Sequence, residues 1–136
     1  MRRLADALGA WLDVTGLGRP EAIVAHSFGC QLAADLVARE PDRAARLVLV
    51  APTVDRHARS LGLQAARLAR DLLREPAGLW ALEAVDYTLH VSKSGPAGFV
   101  AMVRDRVEET LARVHVPTLV VRGERDAIVP RAWARE

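Results

Sequence analysis

The sequence predicts an α/β fold, a three-stranded parallel sheet with flanking helices and a long helical insertion. Three observations predict it. The apolar runs Ala22-Ile23-Val24-Ala25, Leu47-Val48-Leu49-Val50 and Thr118-Leu119-Val120-Val121 show no polar alternation, the pattern of strands covered on both faces of a parallel sheet. Between the first two, Leu32, Ala33, Leu36 and Val37 form a helical stripe, so strand, helix and strand fit one βαβ unit. Residues 53–115, between the second and third runs, exceed a plain crossover and carry helical periodicity.

The elements follow in order. Leu4, Leu8, Trp11 and Leu12 share one face of an opening helix. Arg2 and Arg3 mimic the start of a signal peptide, but Asp6 and Asp13 interrupt the apolar stretch such a peptide needs. The helix after the first strand should stop at Glu40, because Pro41 disfavours helical geometry in the residue before it. In the insertion, Leu61, Ala65, Leu68 and Leu72 line one face, with Arg67, Arg70, Asp71 and Arg74 mostly off it. Glu75-Pro76 and Ser94-Gly95-Pro96 punctuate it. A last helix is expected to carry Val100, Val103, Val107 and Leu111 on one stripe, with Arg104, Asp105, Glu108 and Glu109 outside it.

Composition bounds the function. A chain of 136 residues suffices for one domain with a modest core. Hydrophobic residues make up 51% and aromatic ones only 4%, so the core is built of Ala, Val and Leu and a disordered chain is excluded. Nineteen basic residues oppose seventeen acidic ones, for a net charge of +2. All but Lys93 of the basic residues are arginine, scattered among acids, which argues against a nucleic-acid surface. Cys30 is the single cysteine and cannot close an internal disulfide, so a reducing cytoplasm is expected. No run approaches the roughly 18 apolar residues of a membrane span. Four scattered histidines and one cysteine lack ligand spacing, and no glycine loop cradles a phosphate, so neither metal nor cofactor is expected.

Ala25-His26-Ser27-Phe28-Gly29 follows the first strand and opens a helix. A serine between two small residues in that context reads as a nucleophile elbow. Such a corner lifts the hydroxyl above the sheet and frees the next amide, that of Phe28, to face an oxyanion near a helix N-terminus. A serine acting as a plain helix cap needs only Ser27 and explains neither Ala25 nor Gly29.

On these residues the chain resembles the α/β-hydrolase family over nearly its whole length. IVAHSFGCQLAADLVAREPDRAARLVLVAP is similar to the family's nucleophile strand, following helix and next strand, and VPTLVVRGERDAIVP to its later strand and acid turn. Residues 53–115 occupy the place of the family's cap, within a single domain over 1–136. Ala25 and Cys30 stand where the family commonly has glycine, and both are small. The resemblance implies that Ser27 is the nucleophile, the Phe28 amide an oxyanion donor and Asp126, in Gly123-Glu124-Arg125-Asp126, the acid that orients an imidazole. Asp55, just past the second strand, is a second candidate acid. Serine in place of Asp argues against dehalogenase and epoxide-hydrolase chemistry.

The order implied by the resemblance is Ser, Asp, His. No histidine follows Asp126, and His26, His57, His90 and His115 all precede it. His26 adjoins the serine at a sharp corner and is expected to be structural. The early strands and the loop that donates the second oxyanion amide have no counterpart before Ala22. The expectation is therefore a partial α/β-hydrolase acting on a small-molecule acyl ester or related substrate. The rival is a non-catalytic remnant that binds a ligand or partner. The uncharged Ala22–Ala25 strand at an open sheet edge invites self-association.

Overall fold

The computed structural model describes residues 1–73, 78–79 and 95–136. Arg74, Glu75-Pro76, His90 and Ser94 lie outside the described residues. Helix α1 spans Arg2–Val14, and its buried residues are Ala5, Gly9 and Leu12. Leu4 and Trp11 of the expected stripe are exposed. The contact face is rotated because α1 approaches the next helix at Gly9, where an added Cβ would stand 3.2 Å from Leu36 Cδ1. Only glycine permits that approach without moving Leu36.

Strand β1 runs Ile23–His26, one residue later than the apolar run predicts. The ladder fixes this start: the Ile23 amide donates to Arg46 O at 3.1 Å, and the Ser27 amide donates to Val50 O at 2.9 Å. Helix α2 spans Gly29–Arg39 and ends where expected, the Glu40 amide closing on Leu36 O at 2.8 Å. A 3₁₀ turn, Pro41–Arg43, leads to β2, Leu47–Val50. Strand β3, Thr118–Val121, completes a parallel sheet in the order β1-β2-β3. The strand that precedes Ser27 is thus an edge strand.

One face of the sheet is packed. Leu47 and Leu49 join Cys30, Ala33 and Val37 of α2 in the core, with Ile23, Ala25 and Leu111 against them. Ala5 and Leu12 of α1 pack on Leu36 behind α2. The other face differs from the expectation that both are covered. The register aligns Val24, Val48 and Leu119 in one row across the sheet, and Val24 and Leu119 are 69% and 58% exposed. An unbroken apolar run encodes strands that tolerate cover on both faces, but the residues that provide the cover are encoded elsewhere.

After β2 the chain forms a 3₁₀ turn, Arg56–Ala58, and helix α3, Leu61–Leu72, capped by the Ser60 hydroxyl on the Leu63 amide. Its buried residue is Gln64, whose Nε2 donates to Ala58 O at 2.8 Å, while Leu61, Leu68 and Leu72 stay largely exposed. The last predicted helix is divided into α4, Gly95–Arg104, and α5, Val107–Leu111. Arg106 leaves helical geometry at φ −107°, ψ 67°, which turns Val107 into a core cluster with Val129 and Trp133. Arg59 pairs with Glu108 and ties the loop before α3 to α5. Burial of Val107 in that cluster offsets the cost of backbone hydrogen bonds lost at the break.

Candidate functional site

Ser27 lies between β1 and α2 with φ 51°, in the left-handed region. Non-glycine residues occupy that region at a cost, and they cluster where a side chain must be aimed. The surrounding bonds hold it there. The Ser27 amide extends the β1–β2 ladder to Val50 O, while its carbonyl accepts from the Cys30 amide at 3.0 Å. Phe28 is already helical at φ −56°, ψ −33°, and its carbonyl accepts from the Gln31 amide at 3.1 Å. The chain thus passes from strand to helix in one residue. Among the described residues the Phe28 amide donates to no backbone carbonyl, so it is free at the N-terminus of α2, where negative charge is favoured.

The small neighbours face one another. A Cβ on Gly29 would stand 4.0 Å from the Ala25 Cβ, an ordinary contact, so Gly29 would tolerate alanine but a larger Ala25 would crowd it. Cys30 fills the space behind the corner, its thiol donating to Ala25 O at 3.3 Å and Val50 O at 3.4 Å. Burial pushes that thiol up to about 11, against the lowering effect of its backbone hydrogen bonds. Cys30 is therefore an inert donor that braces the corner.

Asp126 lies in the turn after β3. Its Oδ1 accepts from the amides of Ile128 and Val129, both at 2.8 Å, which fixes the orientation of the carboxylate. It lines a cavity of about 1010 Å³ together with His26, Val50, Ala51, Asp71, Glu124 and Arg125. His26 precedes Ser27, and Ala51 is the ladder neighbour of Ser27, so the serine corner and Asp126 share the C-terminal edge of the sheet. Ligands of open parallel sheets bind at that edge.

The second candidate acid is placed differently. Asp55 is buried, and both its oxygens are engaged: Oδ1 accepts from the His57 amide at 2.9 Å and Oδ2 from Arg67 at 3.0 Å. Arg67 also reaches Ile128 O at 3.4 Å and so ties α3 to the Asp126 turn. Among the histidines, His57 is held by Glu136, Nε2 to Oε1 at 3.1 Å, and His115 is exposed. His26 is among the residues that line the cavity that holds Asp126. Among the described residues no group of three or more His, Cys, Asp or Glu gathers as a metal site.

Two features carried no sequence signal. Gln31, buried in α2, donates from Nε2 to Thr53 O at 3.1 Å and to Met102 O at 3.0 Å. It thereby clamps α4 and the loop after β2 to the helix that starts at the serine corner. An apolar cavity of about 690 Å³ opens beside Phe28, walled by α3 and α4. A glutamine in an amphipathic helix reads as a surface residue, and leucines on a stripe read as core.

A family model described as serine hydrolase matches residues 12–136. Among solved structures, the chain is similar to a meta-cleavage product hydrolase from Pseudomonas fluorescens IP01 complexed with acetates, at TM-score 0.62 and 18% identity, over 96% of this chain and 56% of that one. A mutant of a meta-cleavage product hydrolase matches at TM-score 0.59 and 20% identity, again over 96% and 56%. These likenesses establish the α/β-hydrolase fold, and the chain spans 56% of the length of those structures. No curated protein sequence matches.

Proposed function

The chain belongs to the serine hydrolase family, and from that premise we propose that it forms the nucleophile-and-acid half of an esterase-like hydrolase acting on a small-molecule acyl ester. Ser27 is the nucleophile, the Phe28 amide donates to the oxyanion and Asp126 orients the base. The observation that carries this reading is the strand-to-helix corner at Ser27, held at φ 51° on the sheet edge it shares with Asp126. Asp126 is preferred to Asp55 because Asp55 spends both oxygens on His57 and Arg67. The general base comes from a segment outside these 136 residues, a reading supported by the 56% of the neighbours' length that the chain spans. Cys30, alone and buried, suits a reducing cytoplasm.

A second reading is favoured by the sheet's exposed apolar face. The row Val24, Val48 and Leu119 suits a non-catalytic module that associates with a partner or with itself.

The test uses an activated aryl ester and a protein extended by the adjoining coding sequence. Hydrolysis by the extended protein that is lost in Ser27→Ala and strongly reduced in Asp126→Asn supports the hydrolase reading. Hydrolysis unaffected by Ser27→Ala, or none in any extended form, leaves the association module.

A further inference from the structure

We propose that the cavity between the end of β3 and the 3₁₀ turn Trp133–Arg135 binds a phosphate dianion. The site does not depend on Ser27 being a nucleophile. The cavity, of about 750 Å³, is lined by Val120, Arg122, Glu124, Arg131, Ala134 and Arg135. Three guanidinium groups and one carboxylate thus meet in one cavity, leaving two positive charges in excess. A phosphate dianion neutralises that excess, whereas a monocarboxylate neutralises half of it.

The arginines are held in place from both sides. Arg122 follows β3, and its Nε donates to Val129 O at 3.0 Å while its Nη2 donates to Glu124 O at 3.1 Å and Asp126 O at 3.4 Å. These bonds fix the guanidinium plane, and among the described residues its Nη1 has no partner. Arg131 and Arg135 are four residues apart in a turn closed by the Ala134 amide on Pro130 O at 3.1 Å, a spacing that brings side chains to one face. Trp133 fixes which face that is. It is buried, and its indole donates to Pro52 O at 3.0 Å, while Arg131 and Arg135 stay exposed.

Arginines elsewhere in the chain are engaged by carboxylates, as Arg39 is by Asp6, Arg67 by Asp55 and Arg106 by Glu109. Among the described residues the guanidinium groups of Arg131 and Arg135 have no hydrogen-bond or ion-pair partner. Like charges gathered without partners repel one another, and a bound anion replaces that repulsion with charge-assisted hydrogen bonds. The planar fork of arginine matches the oxygens of phosphate two at a time. Glu124 opposes any further negative charge. The volume lies within the range of small-ligand pockets, and Val120 and Ala134 give it an apolar wall, which favours a monoester of a small organic group over free phosphate. Glu124 also lines the cavity that holds Asp126, so the two cavities adjoin at the turn after β3.

The experiment is calorimetric titration of the 136-residue chain at low salt with phenyl phosphate. Saturable binding with a Kd of about 1 mM or tighter is expected. Arg131→Gln combined with Arg135→Gln should weaken it about tenfold or more. Both residues are exposed, and an unchanged urea midpoint checks that the fold is intact. Arg19→Gln combined with Arg46→Gln removes the same charge at exposed positions outside the cavity and should leave the Kd unchanged. Glu124→Gln should tighten binding. Inorganic phosphate should compete and acetate should not. Weaker binding of inorganic phosphate than of phenyl phosphate assigns the dianion to a monoester, equal binding assigns it to free phosphate, and either supports the site. Absence of saturation below about 10 mM, competition by acetate as effective as that by phosphate, or equal weakening in the Arg19 and Arg46 variant overturns the proposal.

Discussion

Ser27 and Ala51 face each other across the parallel ladder, and both leave their strands in the left-handed region, at φ 51° and 50°. The pairing of His26 with Val50 makes them neighbours. The Ser27 amide donates to Val50 O, and the Ala51 amide donates to Val121 O at 2.7 Å. Two adjacent strands thus end in the same unfavourable turn, and the ladder continues through both.

That strain is measurable. Ser27→Ala keeps the Cβ that penalises positive φ, while Ser27→Gly removes it. A left-handed non-glycine residue costs about 1–2 kcal/mol, partly offset by the greater chain entropy of glycine when unfolded. Ser27→Gly is expected to be more stable than Ser27→Ala by about 0.5–1 kcal/mol in urea denaturation. A glycine variant less stable than the alanine variant would contradict the turn.

Cys30 gives a pH signature. Its folded thiol is pushed up to about 11 from 9.0 by burial, so the unfolded chain loses this proton first. Between those values the unfolded state binds fewer protons than the folded one, and stability falls as pH rises. The contribution is full below pH 9 and is lost toward pH 11, a change on the order of 2 kcal/mol. The urea midpoint should fall over this range, and Cys30→Ala should flatten that fall. The native thiol should react with Ellman's reagent at pH 8 only as fast as the protein unfolds.

The buried amide cluster around Gln31 separates a donor in use from a hydroxyl that is idle. Gln31→Leu leaves Thr53 O and Met102 O without their donor and should cost about 2 kcal/mol. Thr53→Val, by contrast, removes a buried hydroxyl oxygen that has no partner. It should be neutral or mildly stabilising, by up to about 1 kcal/mol. A large loss on Thr53→Val would show that the hydroxyl holds a water.

The exposed sheet face predicts association. Val24 lies on the edge strand and Leu119 on the opposite edge, in one apolar row. Such a surface pairs or stacks with another chain unless it carries charge. The 136-residue chain should self-associate at micromolar concentration, and Val24→Lys with Leu119→Lys should shift it toward monomer. A clean monomer of the unaltered chain by light scattering would count against this.

The legible parts of the sequence were those set by local chemistry. β2 and β3 begin and end at their apolar runs, Pro41 ends α2, and the Ala25–Gly29 motif lies on a strand-to-helix corner. What was not legible depends on partners distant in the chain. The face of α1 is set by Gly9 meeting Leu36, and the break at Arg106 by Val107 meeting Trp133. In the candidate site, the turn after β3 was readable, but the occupation of Asp55 by Arg67 and the clamp of Gln31 on Met102 were not. Those are long-range pairings of residue types that are common on surfaces.

The last prediction concerns activity of the 136 residues alone. Serine is a weak nucleophile without an adjacent base, and no histidine follows Asp126. Loss of one triad member costs about 10⁴–10⁶ in turnover, with the residual rate due to binding and the oxyanion donor. The chain alone should therefore hydrolyse an activated aryl ester barely above the uncatalysed rate, and what remains should depend on the Phe28 amide. Should it turn over robustly and lose that activity in Ser27→Ala, a base must lie within the chain. His26 is then the first to replace, since it lines the cavity that holds Asp126, whereas His57 is held by Glu136. In that case His26→Ala abolishes turnover, His57→Ala preserves it, and the proposal of a base from outside these residues fails. Feeble turnover that is unchanged in His26→Ala, together with strong turnover in the extended protein, leaves the base outside the 136 residues.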